Sequence, residues 1–148
     1  MINSNNINLD WSLVPTTWRQ CFCSDCPKHE VCSHYYTGQR VPDGIVSGPA
    51  VYPNAYKGGN CAFFKELRTI NAAYGFDPLF KDVKQRDYTV LRNKIKDYLG
   101  GHSAYYRYNR GERLLTPEQQ EWIIALFNQY GYTENLTFEN YQETLDFS

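Results

Sequence analysis

The sequence predicts a mainly α protein, a small helical bundle of helix-turn-helix-like character preceded by a loop-rich cysteine and metal-binding module. Three observations predict it. All five cysteines fall within residues 21–61, where Pro42, Gly44, Gly48, Pro49, Pro53, Gly58 and Gly59 punctuate the chain too often for a helix. Beyond residue 61, apolar residues recur at spacings of three and four, the period of an amphipathic helix. Helix start and stop signals flank several of those stretches. With 148 residues, 42% of them hydrophobic and 16% aromatic, the chain can bury a real core without disulfide staples.

Residues 1–20 begin polar and rich in asparagine, then turn aromatic at Trp11 and Trp18 around Pro15, as an extended arm anchored by its rings would. Short strands fit Val41, Ile45 to Val46 and Val51 to Tyr52. From Ala62, the residues Phe63, Phe64, Leu67, Ile70 and Tyr74 follow a helical period up to Gly75, a residue suited to a C-cap, which sets Cys61 at a helix N-terminus. A second helix fits Asp87 to Leu99, with Tyr88, Leu91, Ile95, Tyr98 and Leu99 as one stripe, stopped by Gly100 and Gly101. A third, Ser103 to Asn109, starts at a capping serine and ends before Gly111. The fourth has the clearest start: Thr116 as N-cap, Pro117 at the first helical position and Gln119 at the third. Its apolar residues Trp122, Ile123, Leu126, Phe127 and Tyr130 are expected to face Leu91, Ile95 and Leu99. A last short helix fits Thr137 to Leu145. The expected domains are 1–61, the aromatic arm with the cysteine module, and 62–148, a helical domain whose segment 87–131 is helix-turn-helix-like.

A net charge of −1 conceals a marked asymmetry. Residues 84–113 carry eight basic and three acidic side chains, a net of +5, whereas the residues after Arg113 carry six acidic side chains and no lysine or arginine. No run of about 18 apolar residues is present, and the polar start lacks the basic and apolar regions of a secretory signal. A membrane partner is therefore not expected, the cytoplasm is the expected compartment, and the cysteines are expected to be reduced.

Cys21, Cys23, Cys26 and Cys32 put four thiols within twelve residues, with Cys61 further on and His29 and His34 beside them. Thiolates crowded so closely repel unless a cation gathers them, and Zn²⁺ takes four such ligands at about 2.3 Å. Cys23-x2-Cys26 is a metal-knuckle spacing, Cys32 follows one turn later and Cys61 is a distant fourth ligand. Zinc in a closed structural site is the first expectation; an iron–sulfur cluster suits the same spacing, since its ligands are also cysteines and Pro27 follows Cys26.

The stretch from Leu91 to Gly131 runs from an amphipathic helix ending in Leu-Gly, through a tight turn, to a short polar and aromatic helix. An Arg-Gly-Glu-Arg break then leads to a helix opening at Thr-Pro. In this order it resembles the repressor/Cro-type DNA-binding domains, where the helix after the turn lies in the major groove. The resemblance implies that Ser103 to Arg110 form a recognition helix and that Arg92 sits beside the phosphates. The whole chain is also similar to a family of short bacterial proteins of unknown function. Those proteins share a cysteine, a Cys-Pro, a further cysteine and this Tyr-Tyr-Arg, Arg-Gly-Glu and Pro-Glu-Gln-Gln ending. In that pattern Cys21 rather than Cys23 pairs with Cys26, which leaves the fourth ligand open.

The chemistry of Tyr105, Tyr106, Arg107, Tyr108, Arg110 and Arg113 independently suits nucleic acid, because guanidinium groups grip phosphates or guanine edges and tyrosines contact sugars or stack on bases. The histidines have no spaced carboxylate or serine partner that forms a known nucleophilic constellation, so catalysis is not expected. The sequence thus points to a metal-stabilised protein that binds double-stranded DNA, a small regulator. A protein-interaction adaptor with a structural zinc site comes next, and an iron–sulfur or redox protein third.

Overall fold

A computed structural model describes residues 9–148, so most of the polar start at residues 1–10 lies outside the described residues. At 40% helix and 15% strand, with two small antiparallel sheets, the chain is mixed α/β and not the mainly α bundle that periodicity suggests. It divides into two compact units: Met1–Thr69 with Thr144–Ser148, and Ile70–Glu143.

The first unit contains helix α1 (Ser33–Gly38) and a hairpin of strands β1 (Tyr56–Lys57) and β2 (Asn60–Cys61). The hairpin turn is Gly58-Gly59, with φ of 60° and 85°. Two successive left-handed residues match the twist of paired strands, and glycine adopts them without steric penalty. The strands expected near Val41, Ile45 and Val51 are absent. Instead, Gln20 alone pairs with Ala50 in a parallel bridge, its N–H donating to the Pro49 carbonyl (3.1 Å) and its carbonyl accepting from Val51 N–H (2.8 Å). Trp18 is anchored as the arm reading requires: its Nε1 donates to Thr37 Oγ1 (3.1 Å) and its ring stacks on His34 (4.2 Å, 16°). Tyr36, Leu67 and Leu145 form a small core supported by Leu9 and Phe147. Nearby, Arg68 Nε donates to the buried Asp146 carboxylate (2.8 Å).

Strands β3 (Thr69–Tyr74) and β4 (Asn140–Leu145) replace the helices expected over 62–75 and 137–145. Glu139 N–H donates to Gly75 O and Asp146 N–H to Arg68 O, each at 3.0 Å, which closes the antiparallel pair at its two ends. The helical spacing of Phe63, Phe64, Leu67, Ile70 and Tyr74 was a coincidence of composition, for Phe63 is 39% exposed while Ala72 and Ala73 are wholly buried. Partners about seventy residues away along the chain outweigh a local period.

In the second unit, β3 leads to α2 (Asp77–Phe80), α3 (Gln85–Leu99), α4 (His102–Arg110) and α5 (Pro117–Gln129). The last three cover the expected stretches: α3 and α4 stop at the expected glycines and α5 starts at the expected threonine, but α3 begins at Gln85 after Lys84, ahead of Asp87. Thr116 and Gln119 form the reciprocal capping box, and Gly100 and Gly111 end α3 and α4 in the left-handed conformation. Gly101, not Ser103, is the N-cap of α4. Phe76, Leu91, Ile95, Leu115, Ile123 and Phe127 are the buried heart of this unit. Trp122, expected inside, is 38% exposed and stacks on Tyr98 at 3.8 Å with an interplanar angle of 4°. One residue round the helix turns a side chain by about 100°, so Ile123 takes the inward position and Trp122 the flank. Among the described residues no helix is long and apolar enough to cross a membrane.

Phe127→Ala should therefore lower stability by about 3–5 kcal/mol in urea unfolding, and Trp122→Ala by about 1 kcal/mol, the worth of an exposed aromatic pair. Equal losses would contradict the burial pattern. A pH effect follows from Asp146. Burial alone would raise its carboxyl, but hydrogen bonds from the Ser148 hydroxyl and N–H and from Arg68 outweigh that and leave it below its ordinary value. The folded state then binds fewer protons than the unfolded chain, so this contribution is complete above 3.8 and is lost as pH falls through the folded value. In acid unfolding, Asp146→Asn should be less stable than the native chain at neutral pH, with the difference shrinking as the carboxylate protonates.

Candidate functional site

All five cysteines line one cavity of about 20 Å³ in the first unit, together with His29, His34, Tyr35, Phe63 and Phe64. Successive turns wrap the chain around it: Cys26 N–H bonds Cys23 O (3.4 Å), His29 N–H bonds Cys26 O (3.1 Å) and Cys32 N–H bonds His29 O (3.4 Å). Cys32, 8% exposed, is the N-cap of α1, and the β1–β2 hairpin delivers Cys61. Cys21 is held by its N–H on His34 O (3.0 Å), and Gly38 lets it come that close. A Cβ at Gly38 would stand 2.1 Å from the Cys21 carbonyl oxygen.

The thiols are free, with no disulfide among them. Burial pushes the Cys21 thiol above its ordinary value; a backbone hydrogen bond from Cys23 opposes this, and the neighbouring Cys32, Cys23 and Cys61 add to it. Among the described residues no group of three or more His, Cys, Asp or Glu side chains is arranged to hold a metal ion. His34 has its titration lowered by burial, and its Nδ1 lies 2.7 Å from the Arg19 carbonyl, a contact that requires a proton on Nδ1.

The basic block is divided by α4. Tyr105 and Tyr108, read from the sequence as nucleic-acid contacts, are 5% exposed. Tyr105 stacks on Phe76 (4.6 Å, 15°), and burial drives its hydroxyl far above the ordinary range, so both rings belong to the core. Ser103, Arg107 and Arg110 lie at i, i+4 and i+7 and are exposed, one continuous outward face. Arg110 is paired with Glu112 (3.1 Å), and the exposed Arg113 has its guanidinium 4.9 Å from the Tyr108 ring. Tyr106 is half-buried, with Lys96 Nζ at 5.5 Å from its ring. Arg92 is half-buried, 5.4 Å from the Tyr88 ring, and its Nε is buried without a hydrogen-bond partner. Of the acidic residues that follow, Asp146 is occupied by Arg68, while Glu118, Glu121 and Glu134 are exposed.

Among the described residues, Gln20 Oε1 is also buried without a hydrogen-bond partner, in a residue for which the sequence carries no signal. It lines a cavity of about 500 Å³ walled by the aromatic arm and residues 41–49.

Over residues 1–147 the chain matches a family of unknown function (DUF6078), and it belongs to that family. Neither the curated proteins nor the solved structures contain a match.

Proposed function

We propose that this chain is a metal-stabilised protein that binds double-stranded DNA through the outward face of α4. The observation that carries the reading is the division of that helix: Tyr105 and Tyr108 lock one side into the core while Ser103, Arg107 and Arg110 stand exposed on the other. A rigidly docked helix with a basic outer face is the device with which helix-turn-helix proteins enter the major groove, and the order of α3, glycine turn, α4 and α5 resembles the repressor/Cro-type domains. Arg107, whose exposed side chain sits mid-helix, reads a base edge. Arg113 and Arg92 bind phosphates. Arg110 contributes less, because Glu112 already neutralises part of its charge.

The thiol cluster stabilises the first unit by holding Zn²⁺. Its support is that Cys61 joins Cys21, Cys23, Cys26 and Cys32 at one cavity, all reduced, in a unit whose apolar core is small. Binding would draw four sulfur atoms inward to about 2.3 Å from the ion and displace their protons. An iron–sulfur cluster needs a wider space than the present cavity and is the alternative.

A second reading, a protein-interaction adaptor with a structural zinc site, is favoured by the exposed Tyr88, Val90, Tyr98 and Trp122.

DNA binding measured against salt concentration tests the first reading. Arg113→Ala should weaken all sequences alike and lower the salt slope by about one, whereas Arg107→Ala should lose discrimination worth about 1–3 kcal/mol. No binding at low salt, or arginine variants that bind as the native chain does, transfers the function to the adaptor. Elemental analysis of reduced, freshly purified protein should find about one zinc per chain, and chelation should loosen residues 19–61 more than those after Asp87 in hydrogen exchange. Metal-free protein with unchanged exchange would overturn the zinc site, and a brown protein absorbing near about 400 nm would replace zinc by iron and sulfur.

A further inference from the structure

The cavity of about 500 Å³ in the first unit has the size of a small-molecule site and an unusual lining. Trp11, Trp18, Phe22, Pro15 and Pro49 supply flat apolar walls, and none of the thirteen lining residues carries a charge. Phe22 is 59% exposed at the rim and Val46 91%, apolar surface that water covers at a cost. A charged ligand would lose its hydration there and gain no counter-ion.

Gln20 is the polar feature of the site that is left unfinished. It is 9% exposed, its backbone is clamped on both sides by Pro49 and Val51, and its Nε2 donates to the Trp18 carbonyl at 3.4 Å. Its Oε1 accepts nothing. Turning the amide over would set oxygen against the Trp18 carbonyl oxygen and forfeit the bond already made, so the free group is an acceptor. An acceptor sealed from water without a donor costs stability, and an incoming N–H or O–H would recover it. Trp18 is fixed independently by Thr37 and His34, so one aromatic wall is formed in advance. Residues 45–49, which line the cavity, are exposed and without regular structure, and a ligand reaches Oε1 only by displacing the atoms that seal it.

We propose that this cavity binds a neutral aromatic small molecule carrying one N–H or O–H donor, with the donor on Gln20 Oε1 and the ring among Trp11, Trp18 and Phe22. The proposal is separate from DNA binding and uses none of its residues.

The test titrates the full chain, labelled with nitrogen-15, with three probes: indole, 1-methylindole and indole-3-acetate. Indole should bind saturably, with shifts at Trp11, Trp18, Phe22 and the Gln20 side-chain amide. Methylating the ring nitrogen should weaken binding about tenfold, the worth of one hydrogen bond to a buried acceptor. The carboxylate of indole-3-acetate should weaken it at least as much, although the donor is kept. Gln20→Leu should lower indole affinity to that of 1-methylindole and erase the difference between them. Should that variant fail to fold, the three-ligand comparison and the Gln20 amide shift in the native chain decide. No saturation by indole, equal affinity for indole and 1-methylindole, or shifts confined to other residues would overturn the proposal.

Discussion

Ala73 and Leu115 exchange both of their backbone hydrogen bonds, at 3.1 and 2.8 Å, in a place where neither residue has any exposed surface. Four polar backbone groups there have no recourse to water, so they must meet one another. That requirement runs β3 through the second unit and fixes much around it. The bridge ends one residue before Thr116, the cap of α5, and Gln120 Nε2 ties the same place by donating to the carbonyls of Leu115 and Asn71. At the other end, Gly75 N–H donates to Tyr108 O and Phe76 N–H to Asn109 Oδ1, which hold the last turn of α4. With α4 pinned there and Tyr105 stacked on Phe76, the helix cannot rotate about its axis, and the outward direction of Arg107 is a consequence.

The first unit is organised by different means. Its apolar core is small, and beside the short β1–β2 hairpin single bridges tie its loops: Gln20 with Ala50, and Cys32 with Glu66. Rings and polar atoms share the duty at α1, where Thr37 receives the Trp18 indole N–H and His34 both stacks on that indole and binds the Arg19 carbonyl. Burial holds His34 neutral over a wider pH range than a free imidazole, which preserves this arrangement. In the same unit, five free thiols line one small cavity.

The candidate sites were legible to different depths. Clustering of Cys21, Cys23, Cys26 and Cys32 was visible as spacing, and Cys61 joins them through a hairpin whose Gly-Gly turn is itself a local signal. The basic block was visible as composition, but composition could not sort its members. Tyr105 and Tyr108 lie on the inward face of α4 and Arg107 and Arg110 on the outward one, and the inward face is fixed by what packs on it. Gln20 had no signature at all, since an unpartnered acceptor exists only once every neighbour has been placed.

The sequence by itself determined where α3 and α4 stop and where α5 starts, because the glycine stops and the Thr-Pro-Glu-Gln start act within one helical turn of the residues that carry them. It also determined that the cysteines gather. Only the tertiary structure decided that 69–74 and 140–145 are strands, that Trp122 lies at the flank and that the tyrosines of α4 point inward. Each of those outcomes depends on a partner many residues away, and a buried hydrogen bond or an apolar face acts through space, where a local period along the chain has no say.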